Sequence, residues 1–312
     1  MLPPVLKTKL IEELVHCAVL SHFIEGFPPV SILLLAAPES GKSQITSTLK
    51  EVPVLADLTG KGVGFLLDAG YRTAILNDMS YIAGLSPRTI IYLSSHLNQG
   101  MTEGGAKLLS ANPDGIQSHG GKGCINIIGC MPREIFNRHS AAWQMCGFIS
   151  RLLPFAYSYP EDVIIKIKNG IEQGSRESLK SSVEGLKKRP EKQKRIKCPI
   201  KIVNCIRQMA DWRAENIMGT IGFRLLSYYH CLIRAHCLLR KGTIVNLADL
   251  RFLSKVDQHI NPFMFKAVRL NAELPIGSKC ALPDLQWEKT VTDINKDAAR
   301  KRKKKSIEMA EA

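Results

Sequence analysis

The chain has 312 residues, 45% hydrophobic and 23% charged, enough to bury a substantial core in one large domain or two smaller ones. Its 43 lysines and arginines against 28 acids leave a formal charge of +15, which points to an anionic partner, either nucleic acid or acidic lipid headgroups. Nine cysteines without a regular frame argue against a disulfide scaffold, the start lacks the features of a secretory signal, and no apolar run reaches the ~20 residues a bilayer span needs; a cytoplasmic protein with no membrane partner is expected.

Apolar positions at Leu10, Leu14, Ala18 and Phe23 predict a helix over 5–25, broken by "EGFPP". "VSILLLAA" is a continuous apolar run of strand length, the pattern of a parallel strand buried on both faces. "PESGKS" is a loop, and "QITSTLKEV" can start a helix. A second buried strand, "YRTAILND" (71–78), ends on Asn77-Asp78. "PRTIIYLSSHLNQGM" reads as a helix, "GAKLLSANPDGIQSHGGKG" as a hairpin or loop, and "CINIIGCM" (124–131) as a third strand. "FISRLLPFAYSY" (148–159) is a helical turn leading into a fourth strand. Strands alternating with helices predict an α/β fold with a parallel sheet.

The texture changes after Pro160. Residues 166–201 are polar and basic, a partly helical connection, and 201–272 return to helical periodicity. "DAARKRKKKSIEMAEA" at the end is a charge run without core-forming residues. The expected units are an α/β core at 1–160, a basic linker at 161–200, a helical domain at 201–272 and a basic, largely disordered tail at 273–312. The runs at 187–201 and 300–305 can engage phosphate backbone or simply be solvated. His230-Cys231 and His236-Cys237 lie six residues apart, off a common helical face, so packing is favoured over a zinc site. Cys124, Cys130 and Cys146 read as small core residues.

Residues 36–43, "AAPESGKS", fit the phosphate-loop pattern with Ala36 where the first glycine usually stands. Gly41 lets the backbone approach a polyphosphate, successive amides can point at its oxygens, and Lys42 can reach the β and γ phosphates. The Ser43 hydroxyl can ligate Mg²⁺. Pro38, Glu39, Ser40, Gly41, Lys42, Ser43 and Gln44 are therefore the candidate binding set for ATP with Mg²⁺. An acid at a second strand tip should complete the site. Asp78 takes the metal or catalytic role, and Asn77 can bond a metal-bound water.

Taken in order, these pieces resemble the AAA+ ATPases, and among them the minichromosome maintenance helicases and related ATPases of phages and mobile elements. The likeness spans roughly residues 10–260. It rests on "APESGKS", "AILND", "LNQGMTEGGAKLLSANPDGI" followed by "INIIGCMPRE", "FISRLLPF", and "GFRLLSYYHCLIRAHCLLRKGTIVNLADLRFLSKV". The resemblance implies a three-layer α/β/α P-loop sheet with a C-terminal helical lid. It makes Arg151 an arginine finger on a neighbouring subunit's nucleotide and Arg224 a second sensor that reaches the γ-phosphate. It also implies a homo-oligomer, in the hexamer range, that hydrolyses ATP to do work on DNA, with the hairpin near 111–121, carrying His119, and Lys122 just beyond it facing a central pore. The sensor strand of that group usually ends in a polar residue; here Cys130-Met131 occupies the place and Asn126 comes too early. A nucleotide-dependent switch or loader, and a phosphotransferase on the same loop, stay open as other readings.

Overall fold

A computed structural model describes residues 9–49, 52–102, 108–112, 115–119, 124–145, 151–172, 193–216 and 222–260. The elements run α1 (Lys9–Leu20), β1 (Ser31–Ala36), α2 (Lys42–Thr46), β2 (Val54–Leu55), α3 (Gly60–Asp68), β3 (Thr73–Leu76), α4 (Pro87–Thr102), β4 (Leu108–Asn112) and β5 (Gly115–His119). They continue with β6 (Asn126–Pro132), α5 (Arg133–Met145), β7 (Leu152–Ala156), α6 (Glu161–Glu172), α7 (Ile200–Asn216), α8 (Phe223–Leu239) and α9 (Leu247–His259).

Five strands form one parallel sheet in the order β2-β3-β6-β1-β7, while β4 and β5 pair antiparallel as a separate hairpin. All six residues of β1 are buried, and the alternation of its side chains explains why the run is apolar throughout. Ile32, Leu34 and Ala36 pack with α1 and the C-terminal helices, through residues such as Leu14, Leu232 and Leu253. Leu33 and Leu35 pack on the other face against Val63, Leu97 and Phe136 of α3, α4 and α5.

At the N-terminal ends of the strands, one side chain ties the layers together. Asn126 Nδ2 donates to the carbonyls of Ala18 (2.7 Å) and Val30 (3.1 Å). Its Oδ1 accepts from Thr73 Oγ1 (2.7 Å) and from His22 Nε2–H (2.8 Å). The fully buried amide thereby fills both donors and both lone pairs.

The expected parallel α/β sheet is present, and the hairpin falls between α4 and β6. β2, α3 and α5 were not anticipated, and the helix opened by "QITSTLKEV" stops at Thr46. The linker begins as α6, and its far end runs extended, with bridges Ile24–Lys194 and Lys197–Ile244. The middle of the linker, the residues just before Arg151, Cys146, Lys122 and the basic tail lie outside the described residues.

The helices expected over 201–272 are α7 to α9, and they share one core with the sheet rather than enclosing their own. His230 lies against Phe27, and His236 stacks on Phe252 at 4.2 Å. Arg213, Asp257 and Tyr229 form a buried polar knot across α7, α9 and α8, with Arg213 Nε and Nη2 each 3.0 Å from a carboxylate oxygen.

Asp249 staples α8 to α9. It accepts from Arg240 Nε (2.8 Å) and Nη2 (2.6 Å), from His236 Nδ1–H (2.7 Å), and from the Asn246 amide (2.8 Å), closing a capping box at the start of α9. Burial alone would raise its pKa; the donors from His236, Arg240 and Asn246 outweigh burial and hold it below the ordinary carboxylate value.

Two outcomes follow. Asn126→Ala removes a donor from the buried Val30 carbonyl and the acceptor of Thr73, while the Ala18 carbonyl keeps its bond from Ser21 Oγ; it should lower stability by about 2 kcal/mol in urea unfolding. Because the folded pKa of Asp249 is depressed, its contribution is complete above the unfolded value of ~3.9 and is lost as pH falls through the lower folded value. Asp249→Asn should therefore be less stable than wild type at neutral pH, with the gap closing as the pH drops well below ~3.9; a gap independent of pH would contradict this.

Candidate functional site

β1 delivers its C-terminal end into the loop, with Ala37, Pro38 and Glu39 exposed and Ser40 buried. Two left-handed residues flank Ser40: Glu39 at φ 61° and Gly41 at φ 76°. Glycine takes that region without cost, whereas glutamate there is strained. Ile45 N is the first amide of α2 to enter the helical ladder, bonding the Gly41 carbonyl at 3.0 Å, so the amides of Lys42, Ser43 and Gln44 precede it. Ser43 is exposed and Gln44 buried.

Lys42 folds back on its own loop. Nζ donates to the carbonyls of Ala36 (2.9 Å) and Ala37 (2.7 Å) and to Ser40 Oγ (3.2 Å), which uses all three of its protons. Burial pulls its pKa below the usual lysine value, while Cys130, Asp78 and Glu134 act the other way. The ammonium is thus held by neutral acceptors. An arriving polyanion would exchange these for charge-assisted hydrogen bonds, roughly twice as strong.

The neighbouring strand tips close around the loop. β6 lies between β1 and β3, with Pro132 opposite Ala36 and Gly129 opposite Leu76. Met79 N donates to the Cys130 carbonyl at 2.8 Å, which ties the β3 tip to β6. Burial pushes the Cys130 thiol up to about 12, so it stays a neutral S–H beneath the lysine. Asp78 is exposed and its Oδ1 accepts from Ser80 N at 2.8 Å. Asn77 Oδ1 accepts from Thr46 Oγ1 at 2.7 Å, so the oxygen expected to hold a metal-bound water is engaged in pinning β3 to α2.

Tyr157 and Tyr159, just beyond β7, complete the surround. Their hydroxyls donate to the same Ser40 carbonyl oxygen at 3.2 Å and 3.0 Å.

Arg151 stands elsewhere. It precedes Leu152, which is in register with Ser31 at the start of β1. Six residues of strand at ~3.3 Å each separate its level from Ala36, where the loop begins, by roughly 20 Å. Tyr228 of α8 donates its hydroxyl to the Arg151 carbonyl at 2.9 Å. Burial raises the pKa of that hydroxyl, and the guanidiniums of Arg224 and Arg151 oppose the rise, so both charges face it. Arg224, near the start of α8, is exposed. The two arginines therefore gather at the end of the sheet opposite the loop, and neither reaches the loop of its own chain.

The structure unites Pro38 to Gln44 with Asn77 and Asp78 at one end of the sheet and pairs Arg151 with Arg224 at the other. Thr46, Glu134, Tyr157 and Tyr159 were not singled out for the site from the sequence, and Cys130 only as the residue at the place of a polar sensor. Thr46 lies one helical turn beyond Lys42, and Tyr157 and Tyr159 continue the alternation of Phe155; those spacings were the available signal.

No family model matches the chain, and no curated protein matches it. Among the described residues, no helix is long and apolar enough to cross a membrane.

The strain at position 39 is open to a direct check. Glu39→Gly should fold at least as stably as wild type, while Glu39→Val, which puts a β-branched residue at positive φ, should lose about 1–2 kcal/mol in thermal or urea unfolding. Equal stability of the two variants would show that the left-handed conformation is not maintained.

Proposed function

We propose that the chain is an AAA+-type P-loop ATPase that binds ATP with Mg²⁺ and hydrolyses it in an oligomer. The observation that carries this reading is the loop at 36–43. It leaves a central strand buried on both faces, turns through two left-handed residues around Ser40, and folds the Lys42 ammonium over backbone carbonyls. An acid lies at the tip of β3, one strand removed, with β6 between.

The residues fit the ligands. Lys42 supplies the cation for the β and γ phosphates, and Gly41 leaves room for close approach. Ser43 and Asp78 would hold Mg²⁺, which when bound would offset the charge of the phosphates. Asp78, exposed at the tip of β3, is also the residue that would orient the attacking water. Thr46 and Asn77 keep the β3 tip against α2, so that Asp78 stays in reach.

Both arginines favour action between subunits. With Arg151 and Arg224 at the far end of the sheet from their own loop, a role at a γ-phosphate requires a neighbouring subunit's nucleotide. Charge supplied in trans is worth 10³-fold or more in rate at such sites. The parallel sheet, the hairpin between α4 and β6, and the helices α7 to α9 after the sheet support the AAA+ likeness, with those helices as the lid. Work on DNA is supported by the charge of +15 and by the resemblance. A second reading, a slow nucleotide switch that recruits a partner, is favoured by one feature: Asn77 stands where a second acid is usual, and its oxygen is already engaged by Thr46.

Lys42→Ala should reduce ATP turnover at least 100-fold without unfolding the protein. Wild-type activity per subunit should climb steeply with protein concentration, and DNA should stimulate it. Turnover that is flat with concentration and indifferent to DNA would favour the switch. Absence of calorimetric heat from ATP and Mg²⁺ with folded protein would end the nucleotide reading.

A further inference from the structure

We propose that Tyr157 and Tyr159 are positioning residues for the nucleotide: together they lock the Ser40–Gly41 peptide in the orientation that turns the Gly41 amide towards the phosphate side of the loop. The inference rests on the nucleotide reading above and extends it to residues outside the loop motif.

The geometry is specific. Two hydroxyls donate to one carbonyl oxygen, at 3.2 Å and 3.0 Å, and so use both of its lone pairs. A peptide unit is planar and trans, so its C=O and N–H point in opposite directions. Holding the Ser40 oxygen against the arm after β7 therefore aims the Gly41 N–H away from that arm. Without the clamp, little else selects this orientation. Turning the peptide over changes ψ of Ser40 and φ of Gly41, and glycine accepts either sign of φ. Glu39, on the other side, is already in a strained region.

The clamp is itself rigid. Alternation along β7 puts Phe155, Tyr157 and Tyr159 on one face. Phe155 and Tyr157 are 6.3 Å apart, and Tyr157 meets Tyr159 edge-on at 6.0 Å. Phe155 lies 5.0 Å from His259 of α9, whose Nδ1–H donates to the Ala156 carbonyl at 3.2 Å. Tyr157 N is bonded to the Leu35 carbonyl at 3.0 Å, one residue before the end of β1. Tyr157 is 1% exposed. Burial, with Tyr159 beside Tyr157 and Glu12 near Tyr159, raises both phenols well above the usual tyrosine value, so both are protonated donors at neutral pH.

The test uses the full chain, with binding of a non-hydrolysable ATP analogue and Mg²⁺ followed by calorimetry beside steady-state turnover. The double variant Tyr157→Phe/Tyr159→Phe keeps both rings and removes both donors. It should bind the analogue about tenfold or more weakly, and the effect should fall on KM far more than on kcat. Tyr159→Phe alone leaves one donor and should weaken binding about two- to fivefold. Loss of packing alone would lower Tm and leave the Kd of the folded fraction where it was. Wild-type affinity in the folded double variant, or in Tyr159→Phe should the double variant fail to fold, overturns the inference and leaves the nucleotide reading standing. Failure of wild-type protein to bind the analogue overturns both.

Discussion

Burial of β1 on both faces, with parallel neighbours on both edges, is the constraint from which the rest follows. Its backbone groups are committed to β6 and β7, and its side chains to two separate apolar layers. Such a strand can neither slip by one residue nor twist out without exposing one of those layers. Parallel pairing then sorts the chemistry by strand polarity. The C-terminal ends bring together the loop, the β6 tip, Asp78 and the two tyrosines. The N-terminal ends gather Asn126 with its four partners and, at the sheet's edge, Arg151 with Tyr228 and Arg224.

Strain and charge are concentrated in the loop. A glutamate at positive φ, a half-buried lysine bonded only to neutral oxygens and a peptide held by two tyrosines are each unfavourable or replaceable features when taken singly. They persist because the sheet end around them is well packed. A polyanion would relieve the lysine's poor solvation and meet amides already turned outwards. Under the proposed nucleotide reading, affinity would come from preorganisation as much as from the lysine's charge.

The C-terminal helices share the core of the sheet, which limits how they can move. Residues such as Leu232 and Leu253 lie in the same apolar cluster as Ile32 and Leu34. Two polar knots, Arg213–Asp257–Tyr229 and Arg240–His236–Asp249, run among the helices themselves, while Tyr228 and His259 bond the Arg151 and Ala156 carbonyls of the sheet. Helices tied to one another and to the sheet in this way are held as part of one body.

The sequence by itself determined the elements whose signals are local. The run "SILLLA" suited a doubly buried strand, "PESGKS" a loop between that strand and a helix, and "TAILND" a strand ending in an acid, and each element is present. The helical character after residue 200 was equally plain. α3 escaped notice because three glycines in "GKGVGFLLD" weaken its helical signal, and α5 because its buried stripe, Phe136, Ser140 and Trp143, is narrow and partly polar. Only the tertiary structure decided what the strand order β2-β3-β6-β1-β7 decides. It made Asn126 a structural clasp, separated Arg151 and Arg224 from their own loop, turned Asn77 towards Thr46, and set Tyr157 and Tyr159 on a carbonyl 117 and 119 residues away. Those outcomes depend on which strands lie side by side, and that is settled by packing between distant segments, which no local pattern of residues encodes.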